Sequence, residues 1–166
     1  MNNDDDLPDA VGRLLRQRRA TLALAESCTG GSIAAALTAV AGSSDFLWGG
    51  AVVYSREAKV RLLGMRAQQL DQQGMVSAPT TAALAAAVRR LAGSSFGLAV
   101  TGWAGPRGGA GDDPVGTVYL AIADSDGQAT KRLCYQGDRR QVIAQATMDA
   151  LAWLQHRLLG QPDDQP

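Results

Sequence analysis

The short apolar run Thr21 to Ala25 passes through Glu26 into Ser27-Cys28-Thr29-Gly30-Gly31, and an alanine-rich stretch continues to about Val40. A strand that turns through hydroxyls and glycines into a helix commits a chain to alternating β and α units. The rest of the sequence repeats that pattern. Residues 8 to 19 read as a helix, with Val11, Leu14 and Leu15 inward and Arg13, Arg16, Arg18 and Arg19 outward. Gly49 to Tyr54 reads as a strand and Arg56 to Leu63 as a short helix, while Pro79 to Ala92 is a longer helix opened by Pro79 after Ser77. Leu98 to Thr101 is a buried-type strand that runs into a glycine-rich loop, Gly102 to Gly111. Val115 to Ala123 and Ala129 to Tyr135 form a hairpin through Asp124-Ser125-Asp126-Gly127. A last helix starts at Asp138 as N-cap, with Val142, Ile143, Ala146, Ala150, Trp153 and Leu154 as its apolar stripe. Early β/α alternation followed by a late antiparallel hairpin predicts an α/β fold whose mixed sheet is covered by helices on both faces.

At 166 residues with no internal linker or repeat, the chain fits one domain, residues 8–159, between an acidic arm (1–7) and a polar tail (160–166), both expected to be disordered. Sixteen basic residues balance sixteen acidic ones, and this zero net charge argues against general nucleic-acid binding. No apolar run reaches membrane-spanning length, and the acidic start has the wrong sign for a signal peptide, so the expected compartment is the cytoplasm. Cys28 and Cys134 cannot form a disulfide framework, and the single histidine, His156, leaves too few ligands for a His/Cys metal cluster. The cationic residues are fourteen arginines and two lysines, and the acidic ones fourteen aspartates and two glutamates. Lys59, Glu57 and Glu26 are therefore exceptions, and all three fall in motif-like stretches.

Three stretches can carry chemistry. Backbone amides in the Ser27–Gly31 turn suit a phosphate or a developing oxyanion, or they form an ordinary helix cap. Lys59, behind the strand-end Tyr54 and flanked by Arg56 and Arg61, is either a general base toward a serine or a surface lysine. The loop after Thr101 matches neither the dinucleotide nor the P-loop spacing, but it lies where α/β sheets bind ligands. Cys28 is a second candidate nucleophile without a histidine nearby in sequence. His156 reads as a surface residue. Gly137-Asp138-Arg139-Arg140 either presents an arginine to phosphate or caps a helix.

Seven blocks in order resemble the CinA C-terminal domain family, the nicotinamide-nucleotide amidohydrolases. They are Ala25–Gly31, Ala41-Gly42-Ser43-Ser44, Tyr54-Ser55-x-Glu57-Ala58-Lys59, Gly74-x-Val76-Ser77, Thr101-Gly102-x-Ala104-Gly105-Pro106, Pro114-Val115-Gly116-Thr117-Val118 and Gly137-Asp138-Arg139. The resemblance is to the stand-alone form, without the N-terminal molybdopterin-binding-like domain. It implies a three-layer α/β/α sandwich with a mixed, mostly parallel sheet. It also implies deamidation of nicotinamide mononucleotide to nicotinate mononucleotide and ammonia, with no metal or cofactor, in a homo-oligomer. A serine–lysine dyad falls by motif position on Ser27 and Lys59, with Tyr54 orienting it. Substrate contacts fall on Thr29, Gly30, Gly31, Thr101, Gly102 and Arg139. Trp103 and Arg107 depart from the smaller residues usual in this loop. Two rivals remain at this point: a catalytically silent nucleotide-binding or interaction module, and a hydrolase using Cys28.

Overall fold

The structure is a computed structural model and describes residues 7–109 and 113–161. Its elements in chain order are α1 (Leu7–Gln17), β1 (Leu22–Glu26), α2 (Ser32–Thr38), β2 (Leu47–Val52), α3 (Arg56–Leu63), α4 (Ala67–Gln73), α5 (Ala78–Ala92), β3 (Phe96–Gly102), β4 (Thr117–Asp124), β5 (Gly127–Cys134) and α6 (Arg139–Leu158). A 3₁₀ turn, Ser43–Asp45, precedes β2. The five strands form one sheet in the order β2-β1-β3-β4-β5. β1 pairs in parallel with both β2 and β3, whereas β3–β4 and β4–β5 are antiparallel.

The two faces of the sheet are built differently, and sequence alternation causes it. Leu22, Leu24, Leu98, Val100, Leu120 and Ile122 point to the face covered by α1, α2 and α6. Their neighbours Ala23, Ala25, Ala99, Ala121 and Ala123 point to the other, where α3, α4 and α5 lie. Small side chains let α5 approach closely: a Cβ added to Gly97 would collide with the Ala85 carbonyl oxygen. Alanine-rich α5 is thus matched to an alanine-rich sheet face, which gives the three-layer sandwich.

Local signals end the elements. Ser55 caps α3 by accepting from the Ala58 amide, Ser77 caps α5, and Asp138 forms a capping box with Gln141 at the start of α6. Gly64 and Gly93 close α3 and α5 in the left-handed conformation. Parallel β1, β2 and β3 all finish at one edge of the sheet, where β4 begins and α6 starts. That shared edge assembles the candidate site.

Several boundaries differ from the sequence reading. The second strand is Leu47–Val52 rather than 49–54, so Tyr54 lies in the turn beyond it. The first helix already includes Leu7, and α2 ends at Thr38. Of the expected arm (1–7) residues 1–6, of the expected tail (160–166) residues 162–166, and loop residues 110–112 lie outside the described residues, while Gly160 and Gln161 donate to carbonyls of the last turn of α6. Helix α4 was not expected, because Ala67–Gln73 is rich in glutamine and buries only Leu70. In the α1 arginine run, Arg13, Arg18 and Arg19 are exposed, while Arg16 stacks 5.5 Å over the Phe46 ring and donates to the Ala41 carbonyl. His156 is exposed on α6. Among the described residues no helix is long and apolar enough to cross a membrane.

Candidate active site

Ser27 follows the last residue of β1, and Lys59 reaches toward it from the second turn of α3. Both side chains are buried, and Lys59 is only 1% exposed. The Lys59 Nζ stands 3.4 Å from the Ser27 Oγ, long for a hydrogen bond but within the range of an unliganded catalytic pair. Nζ also donates to the Val53 carbonyl at 2.7 Å. The acceptor lies on the backbone just beyond β2 and holds the amine end in place. Burial pushes the Lys59 ammonium below its ordinary value of 10.5, because the charged form loses hydration. The opposing influence is negative charge on Cys28. Burial holds that thiol near a pKa of about 11, so around neutral pH it carries no charge to offer.

Glu26 organises the turn that carries Ser27. Its carboxylate is 2% exposed. Oε2 accepts from the Thr29 hydroxyl (2.6 Å) and the amides of Gly31 (3.0 Å) and Ile33 (3.2 Å), and Oε1 accepts from the Ala34 amide (2.8 Å). Gly31, the N-cap of α2, has no side chain to do this. The chain therefore uses an upstream glutamate to satisfy the amides that a helix start leaves open. Gly30 donates to the Ser27 carbonyl oxygen. The amides expected to face a ligand at Gly30 and Gly31 are thus already engaged within the protein, and the Thr29 hydroxyl is turned to Glu26.

A cleft of about 240 Å³ opens onto the pair. Its walls include Ser27, Cys28, Tyr54, Lys59, Gly102 and Arg139, joined by Met75, Val76 and Trp103. Arg139, the first residue of α6, bridges the mouth: Nη2 donates to the Tyr54 hydroxyl and Nη1 to the Gly105 carbonyl, both at 2.7 Å. Tyr54 is thereby tied to Arg139, and no hydrogen bond to Ser27 or Lys59 is seen among the described residues. Gly102 must be small, since a Cβ there would stand 2.8 Å from Val118 Cγ2, 2.9 Å from the Thr117 carbonyl and 3.0 Å from Cys28 Sγ. Thr101 is fully buried behind the cleft. Its hydroxyl lies 2.8 Å from that of Thr81, which donates onward to the Ser77 carbonyl. This chain fastens β3 to the start of α5, so the Thr101 hydroxyl is directed into the fold.

The structure thus brings Ser27, Lys59, Tyr54, Gly102 and Arg139 to one cleft. Thr29 and Thr101 are buried in polar networks beside it. The sequence reading missed the role of Glu26, the Val53 carbonyl, and the Met75–Val76 wall. The scarcity of glutamate was the available signal for the first. A backbone acceptor leaves no sequence signal at all.

Residues 4–158 match the CinA C-terminal domain, and the chain belongs to that family. It is 50% identical over 156 residues to a CinA-like protein of Geobacter sulfurreducens, and 46% identical over 138 residues to one of Synechocystis. These alignments cover 94% and 83% of this chain but only 38% and 33% of those relatives, so the chain spans well under half their length. Among solved structures, a CinA superfamily protein of Klebsiella pneumoniae superposes with a TM-score of 0.91 at 38% identity, covering 96% of this chain and 99% of that one. An Escherichia coli superfamily member gives 0.86 at 31% identity, covering 96% and 93%.

Proposed function

We propose that the cleft hydrolyses the carboxamide of nicotinamide mononucleotide, giving nicotinate mononucleotide and ammonia through an acyl-enzyme on Ser27. The observation that carries this reading is the buried Lys59 amine 3.4 Å from the Ser27 hydroxyl. A lysine whose charged form burial disfavours is suited to act as a base, and a serine within reach is the group it can activate.

In the first half-reaction the neutral Lys59 amine takes the Ser27 proton as Oγ adds to the carboxamide carbon. The resulting ammonium gives that proton to the departing nitrogen, the C–N bond breaks, and ammonia leaves with Lys59 neutral again. In the second half, Lys59 takes a proton from water as its oxygen attacks the ester. It then returns that proton to Ser27 Oγ as the acid departs. The Val53 carbonyl steadies the amine in both halves. Arg139, cationic and seated at the mouth, is a contact for the substrate's phosphate, and Tyr54 orients that guanidinium.

Cys28 is a poor rival for the nucleophile. A thiol with a pKa of about 11 is almost wholly protonated at neutral pH, and the only histidine is exposed on α6.

The test is turnover in the presence of hydroxylamine. An acyl-enzyme diverts its acyl group to the hydroxamate, lost in Ser27→Ala. Ammonia release that yields only the carboxylate would point to direct attack by water and overturn the acyl-enzyme.

A further inference from the structure

The cleft offers an anion cationic side chains at its mouth. The α2 amides are consumed by Glu26, which also sets a negative charge beside that helix start. Among the described residues lining the cleft none is acidic, and two are arginines, Arg107 and Arg139. Arg139 is pinned by its bonds to Tyr54 and Gly105. Arg107 is exposed and forms no ion pair or hydrogen bond with any described residue.

The loop that presents Arg107 is braced on both sides of it. A Cβ on Gly105 would stand 3.0 Å from Val115 Cγ1, and one on Gly108 would stand 2.7 Å from the Val115 amide. The Gly109 amide donates to the Asp113 carbonyl at 2.8 Å. Asp113's own carboxylate is held by Tyr119 and Arg132, so it does not compete for Arg107. From Gly105 to Gly109 the sequence is Gly-Pro-Arg-Gly-Gly, which leaves Arg107 as that segment's one charged side chain.

We infer that Arg107 is a specificity-determining residue, forming with Arg139 a two-guanidinium subsite for the phosphate monoester of the substrate. The inference rests on the amidase reading of the cleft. A phosphate monoester is near-dianionic at neutral pH, and two planar guanidinium groups match it in charge and in fork geometry.

The test compares wild type with Arg107→Gln on nicotinamide mononucleotide and on nicotinamide riboside, which lacks the phosphate. The expected result is about a tenfold fall in the ratio of kcat/KM for the nucleotide to that for the riboside, carried by KM, and a weaker salt dependence of the nucleotide KM. An unchanged ratio overturns the inference. Calorimetry with ribose 5-phosphate separates its failure from that of the amidase reading. If neither substrate releases ammonia, the amidase reading falls. Binding of ribose 5-phosphate that weakens about tenfold in Arg107→Gln then still supports the subsite. Equal binding by both proteins, or binding by neither, overturns it.

Discussion

Replacing Glu26 by glutamine tests whether the Ser27 turn is built around a buried carboxylate. In the native turn that carboxylate accepts four hydrogen bonds, from the Thr29 hydroxyl and the amides of Gly31, Ile33 and Ala34. Glutamine keeps the volume but turns one oxygen into an NH₂ donor, so at least one amide faces another donor. The remaining bonds lose their charge assistance, which carries roughly half their strength. Thr29 and Ile33 are 3% and 1% exposed, so water cannot readily replace what is lost there. Leaving one buried donor unsatisfied costs about 1–3 kcal/mol, and weakening a helix cap costs about 1 kcal/mol. The expected destabilisation is therefore about 2–4 kcal/mol, a large share of the roughly 5–15 kcal/mol typical of a domain. Urea unfolding measures it as a lower midpoint at unchanged slope. Turnover falls as well, because Ser27 sits on the turn that relaxes. A loss below about 0.5 kcal/mol, the range of an ordinary surface change, would refute the argument.

Three further outcomes follow from the same geometry. Lys59→Met abolishes turnover, and its stability relative to wild type depends on pH with a defined sign. Burial lowers the folded-state pKa of Lys59 below 10.5, so in that window the unfolded wild-type chain binds the extra proton and its stability rises with pH. The variant's relative advantage, read from urea midpoints, is largest at lower pH and shrinks as pH approaches 10.5; a gap that widens with pH contradicts this. Iodoacetamide at neutral pH alkylates exposed Cys134 before buried Cys28, and activity survives the first modification; peptide mass mapping alongside an ammonia assay checks both. Gly102→Ala costs about 1–3 kcal/mol and impairs turnover, since its methyl group would press on Val118, Thr117 and Cys28 at the cleft floor; unfolding and steady-state assays read the two effects.

What the sequence disclosed depended on how local each signal was. Arg56–Leu63 was legible to the residue, because Ser55 caps it and Gly64 closes it within a few positions. Asp138 announced α6 for the same reason. The Asp124–Gly127 turn appears as a tight two-residue connection between β4 and β5. By contrast, α4 carries one buried apolar residue in a polar segment, so its helicity comes from packing Leu70 and not from a pattern. At the site, Ser27 and Lys59 stood out as residue types in suggestive places, but their 3.4 Å separation spans 32 positions and comes from pairing β1 with β2. Glu26 shows the limit most clearly. Its rarity was visible, yet its role comes from four donors that converge only once α2 has formed. The same turn engages the Gly30 and Gly31 amides within the protein, where the sequence alone allowed them to face a ligand.

The most direct measurement is ammonia release from nicotinamide mononucleotide by the wild-type protein, Ser27→Ala and Lys59→Met, each shown to be folded, with and without a chelator. The account predicts release by wild type that the chelator leaves intact and that each substitution abolishes. Release that persists in either variant, or none from the folded wild type, would contradict it.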